Sequence, residues 1–269
     1  MIFLKPILSI LPLSLLLPFQ CFAQPTKKVT EKIDKYEKYE YYVLESDKKT
    51  KHGSWKKIGY KNELEESGHY KNGLKDSIWT EYYYDGKTER TTYYVNDKKH
   101  GLFEEYDRNG KVIYKGNYTN NEKTGIWELG ASDNLNLKYD YDTDELLYFA
   151  PTYDLEYKTV ENGDSVVKKL DKPCVYLEGL SGIYRHIGMT FKYTSEAVNK
   201  NIQGKIYITF KVGIDGIIKD PKIIKGLGYG MDEEALRCIL TLPEKWSPAV
   251  LNGEKIETEY TIPVACRLN

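Results

Sequence analysis

Residues 204–212, Gly-Lys-Ile-Tyr-Ile-Thr-Phe-Lys-Val, alternate apolar and polar side chains. This alternation is typical of a strand that buries one of its faces. Asp215 and Gly216 predict a turn, and residues 217–225 predict the returning strand, in which Pro221 fits only at an edge or a bulge. The centre of the C-terminal third is therefore predicted to be an antiparallel hairpin.

Elements on either side of this hairpin complete a small α+β unit. Residues 194–198 predict a short helix capped by Ser or Thr. A second helix is expected over 232–240, because acidic residues occupy its first turn and apolar residues recur at helical spacing before Pro243. A last strand is expected from about Lys255, with alternate side chains up to Val264 on one face. The predicted order is helix, strand, strand, helix, strand.

Four segments in this order resemble the C-terminal domain of TonB energy transducers. They are 202–207 (IQGKIY), 226–236 (GLGYGMDEEAL), 245–249 (KWSPA) and 260–264 (YTIPV). The resemblance covers residues 173–269 and implies helices packed on a three-stranded antiparallel sheet.

The resemblance also implies a function. TonB domains are protein-binding modules and not enzymes, and they bind a short extended segment, the TonB box, of outer-membrane transporters. The bound peptide adds a strand to the edge of the sheet. Trp246 is expected in the core rather than at the contact. The corresponding edge in this chain is the last strand, with Ile256, Glu257, Thr258, Glu259, Tyr260, Thr261 and Ile262. Its glutamates either tune recognition or protect the edge from self-pairing.

Two features of TonB transducers have no counterpart here. Family transducers have a membrane helix with a functional His, followed by a Pro-rich spacer. The first residues of this chain contain no His, and a repeat occupies the place of the spacer. The resemblance therefore implies peptide binding, and these two departures leave the link to the proton motive force open.

That repeat has a period of 24 residues, visible in segments 51–55, 75–79, 99–103 and 123–127. Asp-Gly and Asn-Gly pairs at 85–86 and 109–110 supply the positive φ of tight turns, so each unit is predicted to be a β-hairpin. A single hairpin cannot bury its apolar face, so successive units must pack together. The aromatic residues that keep the period are Trp55, Trp79, Phe103 and Trp127, with Tyr70, Tyr94 and Tyr118.

These units resemble bacterial MORN-type repeats, which have Lys-x-Gly-x-Trp followed by Tyr-x-x-Gly. The resemblance covers about residues 42–130 and implies an elongated antiparallel β array that serves as a scaffold. The repeat aromatics are expected to be structural, and glycines before them suggest close backbone approach. A tyrosine-lined face that contacts glycan, such as peptidoglycan, or a protein remains the alternative. His52 and His100 share a phase, but Asp76 and Thr124 share it too, so no metal site is predicted.

The remaining segments are assigned by composition. Residues 1–23 predict a signal peptide cleaved before Gln24, with an inner-membrane anchor over 6–23 as the alternative. Residues 24–41 are expected to be a charged linker, and 131–172 to be extra strands or linker. Three cysteines remain after cleavage, of which two could pair or stay buried as small apolar residues: Cys174, Cys238 and Cys266.

Composition limits the function classes. The formal net charge of −1 gives no nucleic-acid signal, and we find no catalytic or phosphate-binding motif and expect no cofactor. The first hypothesis is a periplasmic TonB-family protein that binds an outer-membrane transporter. The second is a secreted or periplasmic scaffold that binds envelope protein or glycan without energy transduction. Nothing in the sequence indicates the oligomeric state, the receptor or the cargo.

Overall fold

The computed structural model describes residues 24–131, 134–151, 153, 155–161 and 164–268. The predicted signal peptide, the alternative anchor and Cys21 lie outside these residues. Eleven strands form the first sheet: β1 Thr26–Lys32, β2 Lys38–Leu44, β3 Lys51–Ile58, β4 Leu64–Lys71, β5 Leu74–Tyr82, β6 Thr88–Val95, β7 Lys98–Tyr106, β8 Val112–Thr119, β9 Glu122–Ala131, β10 Asn134–Asp140 and β11 Glu145–Phe149. Each strand pairs antiparallel with its neighbour in sequence, so the sheet is one continuous meander, the strand array.

Beyond the array, a separate hairpin leads into the C-terminal domain. The hairpin consists of β12 Glu156–Glu161 and β13 Asp164–Lys169. The domain contains β14 Val175–Tyr176, α1 Gly179–Thr190, α2 Ser195–Asn199, β15 Gly204–Val212, β16 Ile218–Lys225, α3 Met231–Leu240, β17 Trp246–Ser247, β18 Ala249–Leu251, β19 Glu254–Ile256 and β20 Thr258–Cys266. The architecture is α+β, as predicted.

Turns between repeat units explain the regular register of the array. The two central residues of each turn have positive φ, 52° and 87° at Asn72 and Gly73, and 53° and 77° at Asn120 and Asn121. Such pairs form the two-residue hairpin turns whose twist matches that of the strands. The turn residues, as well as the aromatic residues, therefore determine the strand register of the array.

Glycine recurs at one position of the repeat for a different reason from the one expected. Gly53, Gly101 and Gly125 have φ of 104°, 79° and 60°, and Ser77 takes the same conformation with φ of 62°. A Cβ added at Gly125 meets nothing within 4 Å. The position requires a left-handed backbone and not close approach, so the expectation of close packing there is wrong.

Close approach occurs instead at a phase that the sequence analysis missed. A Cβ added at Gly68 would lie 2.2 Å from the ring of Trp79, and one at Gly116 would lie 2.2 Å from the ring of Trp127. In the unit between them the equivalent residue is Thr92, and the ring beside it is the smaller Phe103. Ring size and backbone space therefore change together along the array.

The core of the C-terminal domain lies between the helices and the inner face of a three-stranded sheet with order β16-β15-β20. Ile206, Ile208, Phe210 and Val212 are at most 1% exposed, which confirms the predicted buried face of β15. The short helix α2 begins after Thr194, whose side chain accepts a hydrogen bond from the N–H of Ala197, as predicted.

Several boundaries differ from the sequence expectations. β1 and the start of β2 occupy residues expected to be a charged linker, and the two strands pair along their whole length as one hairpin. β10 and β11 extend the array to Phe149, within the segment expected to be extra strands or linker. α1 was not predicted at all. The expected last strand is broken: β19 ends at Ile256 and pairs with β18, and β20 begins at Thr258.

Candidate functional site

β20 lies at one edge of the C-terminal sheet. It pairs with β15 along its whole length, and no second strand pairs with it within the part of the chain that the structure describes. Five of the predicted binding residues, Thr258 to Ile262, belong to this strand. Ile256 and Glu257 do not, and the carboxylate of Glu257 lies 3.1 Å from the ammonium of Lys211 instead. Whether the edge binds a peptide stays a prediction.

Two observations show which backbone groups point away from the sheet. The carbonyl of Tyr260 accepts a hydrogen bond from the hydroxyl of Thr209 on β15, at 3.3 Å, so it faces the sheet. Backbone groups alternate sides along a strand, so those of Glu259, Thr261, Pro263 and Ala265 face the free edge. Pro263 has no N–H to donate and suits an outward-facing position. The edge thus offers N–H and C=O at three residues and only C=O at Pro263.

Side chains of β20 alternate between the core and solvent. Thr258, Ile262 and Val264 are buried, whereas Glu259 and Thr261 are exposed. Tyr260 is half-buried, and its ring centre lies 4.7 Å from that of Trp246. Trp246 is 2% exposed, so its predicted place in the core is confirmed. An exposed carboxylate and a proline at the edge both hinder pairing with another copy of the strand.

The end of the array packs against the C-terminal domain through charged contacts that we call the seam. Lys123, the last copy of a repeat lysine, is only 13% exposed, and its ammonium contacts the carboxylate of Glu244. The same ammonium donates to the hydroxyl of Tyr114 at 2.8 Å, and Tyr141 donates to Glu244 at 2.9 Å. Burial, with the nearby hydroxyl of Tyr114 and carboxylate of Glu244, raises the pKa of Tyr141, which therefore stays neutral.

Two further contacts extend the seam. Arg185 of α1 donates to Glu105 of β7 at 2.6 Å and to Glu178 at 3.1 Å. Asp144, in the turn between β10 and β11, accepts hydrogen bonds from Lys245, Lys255 and Tyr139. An apolar cluster closes the seam, formed by Leu137, Tyr139 and Leu146 of the array with Val175 and Leu177.

A cleft of about 790 Å³ lies between the array and the C-terminal domain. Its lining includes Leu129 and Tyr153, Leu180 and Arg185 of α1, and Tyr260 of β20. Arg185 pairs there with Glu105. Aromatic and aliphatic side chains therefore line the cleft together with polar groups.

The repeat aromatics are structural where they are largest. Trp55, Trp79, Phe103 and Trp127 are 7%, 3%, 6% and 1% exposed, which leaves no ring face for a glycan. The indole N–H of Trp79 donates to the carbonyl of His69, and that of Trp127 donates to the equivalent carbonyl of Asn117, both at 3.2 Å. The phased tyrosines are half-buried beside repeat lysines: Tyr70, Tyr94 and Tyr118.

The remaining candidate groups are the cysteines and the repeat histidines. Cys174, Cys238 and Cys266 are free, and burial raises the pKa of the Cys174 and Cys266 thiols to about 11. The ring of His52 lies beside Asn72 and His69. The described residues contain no group of three potential metal ligands. Among the helices within those residues, none is long and apolar enough to cross a membrane.

Comparison with protein families identifies the C-terminal part. Residues 189–268 match the model for the Gram-negative bacterial TonB protein C-terminal. The matched segment contains the whole three-stranded sheet and its free edge, and begins near the end of α1. At the level of the family, the match supports a role in envelope transport with an envelope protein as partner.

The match does not extend to the strand array. A meander of hairpins is compatible with MORN-type repeats, but that resemblance stays a prediction. No curated protein matches the chain. The class that fold and comparison define is a TonB-type C-terminal domain joined to a β array.

Proposed function

We propose that the protein is a periplasmic adaptor of the TonB type, which binds an extended segment of an outer-membrane transporter on the free edge of β20. The observation that carries the proposal is that edge: its backbone groups at Glu259 and Thr261 point outward, inside the segment that matches the family. An added strand would satisfy these groups by main-chain hydrogen bonds.

The magnitude of such binding is modest. Each backbone hydrogen bond contributes about 1 kcal/mol net, because it replaces bonds to water. Glu259, Thr261 and Ala265 provide three donors and three acceptors, and Pro263 adds one acceptor. Main-chain pairing alone therefore gives weak binding, and the side chains of the partner must add affinity and specificity.

N-methylated peptides test strand pairing directly. Synthetic TonB-box peptides from outer-membrane transporters of the host organism are titrated into the full chain, each with one N-methyl group. Only every second N–H of an added strand points at β20, so binding is expected to fall at alternate positions and to persist at the positions between. Equal loss at all positions, or saturable binding by none of the peptides, contradicts the proposal.

The protein side offers a matched pair of variants. Thr261→Pro and Thr261→Ala both remove the threonine hydroxyl. Only the proline variant also removes the outward backbone N–H. We expect the proline variant to weaken peptide binding and the alanine variant to bind as the parent does. Circular dichroism and thermal unfolding of both variants check that each retains the fold.

The localisation belongs to the same proposal. We place the mature chain in the periplasm after cleavage before Gln24, which leaves no direct link to the motive force. Mass spectrometry of the N-terminus after expression in a Gram-negative host tests this. A product beginning at Met1 in the inner-membrane fraction would instead favour a membrane-anchored transducer.

An exposed stripe on the array favours a second candidate, a scaffold that binds an envelope protein. Ile78, Leu102 and Ile126 are 58%, 50% and 48% exposed at equivalent places, on the face opposite the buried rings. Photo-crosslinking from position 102 in living cells, with position 61 as control, tests it. Equal crosslinking at both positions argues against a specific partner there.

A further inference from the structure

Tyr260 connects the free edge with the cleft beside the seam. Its ring packs on Trp246 and Phe210 in the core, and the same residue lines the cleft. Phe210 is the partner of Tyr260 on β15, is 1% exposed and does not line the cleft. The cleft therefore lies on the side of Tyr260 that faces away from β15, next to the free edge.

Geometry then fixes what a bound strand would present there. Residues opposite each other in neighbouring strands share a face, with their Cβ atoms about 4.5–5.5 Å apart. A peptide residue opposite Tyr260 must therefore project on the same face as the Tyr260 ring. That is the face on which Tyr260 lines the cleft, together with Tyr153 and Leu180.

The chemistry of the walls indicates the kind of side chain. Arg185 is paired with Glu105 and Glu178, and the carboxylate of Asp107 accepts the N–H groups of Asn109 and Lys111 in its own turn. Charged groups of the cleft are thus engaged within the protein. Leu180 is 52% exposed, and an apolar residue placed against it would remove that surface from water.

We infer that the cleft is a specificity pocket for the peptide bound on β20, and that it takes a bulky apolar or aromatic side chain opposite Tyr260. This inference rests on the proposed function. It assigns part of the recognition to residues outside the TonB-type segment, because Leu129 of the array and Tyr153, which follows the array, also line the cleft. The cleft is wide enough for more than one side chain, so residues flanking the anchor can enter it.

Two leucines of matched exposure provide the test. Leu180 lines the cleft, whereas Leu240 is 54% exposed on α3 and does not line it. In the full chain, Leu180→Ala is expected to weaken binding of a TonB-box peptide about tenfold, as loss of apolar pocket contacts commonly does. Leu240→Ala is expected to leave the affinity unchanged.

A change in the peptide completes the cycle. Replacing its bulky apolar residue by Ala should weaken binding to the parent chain and abolish the difference between parent and Leu180→Ala. If the N-methyl pattern shows strand pairing but Leu180→Ala and Leu240→Ala bind every peptide equally, the pocket is refuted and the proposed function stands. If binding depends on Leu180 without the alternating N-methyl pattern, strand pairing is refuted, and the inference falls with it.

Discussion

The array and the C-terminal domain use opposite kinds of contact. Each array strand pairs only with its neighbours in sequence. Aromatic rings of successive units also pack together, and the ring centres of Trp55 and Trp79 are 5.2 Å apart. In the C-terminal sheet, β15 joins β16, which follows it, to β20, which comes after α3. Local contacts make stability a sum over units, whereas one shared core makes it all-or-none. The candidate binding edge belongs to the all-or-none part, where its position is fixed by the whole core.

The largest expected effect is a loss of stability in the C-terminal domain, which has a single core. Trp246→Ala removes a buried ring that contacts Tyr176, Phe210 and Tyr260. We expect a loss of about 3–5 kcal/mol in the free energy of unfolding. Hydrogen exchange should show lost protection throughout the C-terminal domain while β3 to β6 stay protected.

Trp79→Ala is the matched change in the array. Protection should fall only in the strands around β5, since repeat units depend on their neighbours. Loss of protection spread evenly over the molecule in either variant would show that the two regions do not differ as described.

The second expected effect sharpens the account of the array. Gly116→Ala places a Cβ 2.2 Å from the ring of Trp127, so the ring or the strand must shift, at a cost of about 1–3 kcal/mol. Gly188→Ala, in α1, meets nothing within 4 Å and is expected to be neutral or slightly stabilising. Urea unfolding of both variants measures the difference.

The same reasoning gives a rescue experiment. Phe103→Trp puts the larger ring beside Thr92 and should destabilise the chain, whereas adding Thr92→Gly should recover stability. If the double variant is no more stable than Phe103→Trp alone, ring size and backbone space are not coupled at this position.

The third expected effect concerns the seam between the two regions. Glu244→Gln removes the charge that faces Lys123, whose side chain is 13% exposed. A partly buried cation then loses its partner, and we expect a loss of about 2 kcal/mol, because hydrogen bonds to charged groups contribute that much. Glu196→Gln, in an exposed pair with Lys200, is expected to cost less than about 0.5 kcal/mol. If both variants lose the same free energy of unfolding in urea, the Lys123–Glu244 contact of the seam stabilises the fold no more than an exposed ion pair does.

Sequence patterns predicted the parts that follow from local rules. Alternation in β15, the Thr194 cap and the repeat turns all depend on residues close in sequence. β1 was not predicted because its lysines and glutamates are typical of a solvated linker. The strand depends on its pairing with β2. α1 was missed because Gly179, Gly182 and Gly188 weaken its helical pattern, and packing rather than propensity holds it.

The candidate site was predictable only in part. The resemblance indicated the last strand, and the outward residues of β20 follow from its alternation together with Pro263. The cleft could not be predicted, since Leu129, Tyr153, Leu180 and Tyr260 are far apart in sequence. Nor does any local pattern indicate that the last repeat lysine would meet Glu244.

The smallest expected effect is a pH dependence at the seam. Burial by itself raises the pKa of Asp144, but hydrogen bonds from Lys245, Lys255 and Tyr139 outweigh it and lower that pKa below its ordinary value. A carboxyl whose pKa is lowered in the folded state stabilises the fold above its unfolded pKa, about 3.9, and loses this contribution as the pH falls. Asp144→Asn should therefore be less stable than the parent at neutral pH, and the difference should shrink below about pH 4.

Because the Asp144 side chain is 49% exposed, solvent screens the interaction, and the difference at neutral pH should stay below about 1 kcal/mol. Thermal unfolding of parent and variant across the acidic range measures it, with Glu196→Gln as the exposed control. A difference that grows as the pH falls would contradict the sign of the pKa shift. A difference that is constant over the whole range would place the contribution of Asp144 in packing instead of charge. The array supplies Asp144 and the hydroxyl of Tyr139 here, whereas both charged partners, Lys245 and Lys255, belong to the C-terminal domain, so the contact between the two regions should carry most of the pH dependence.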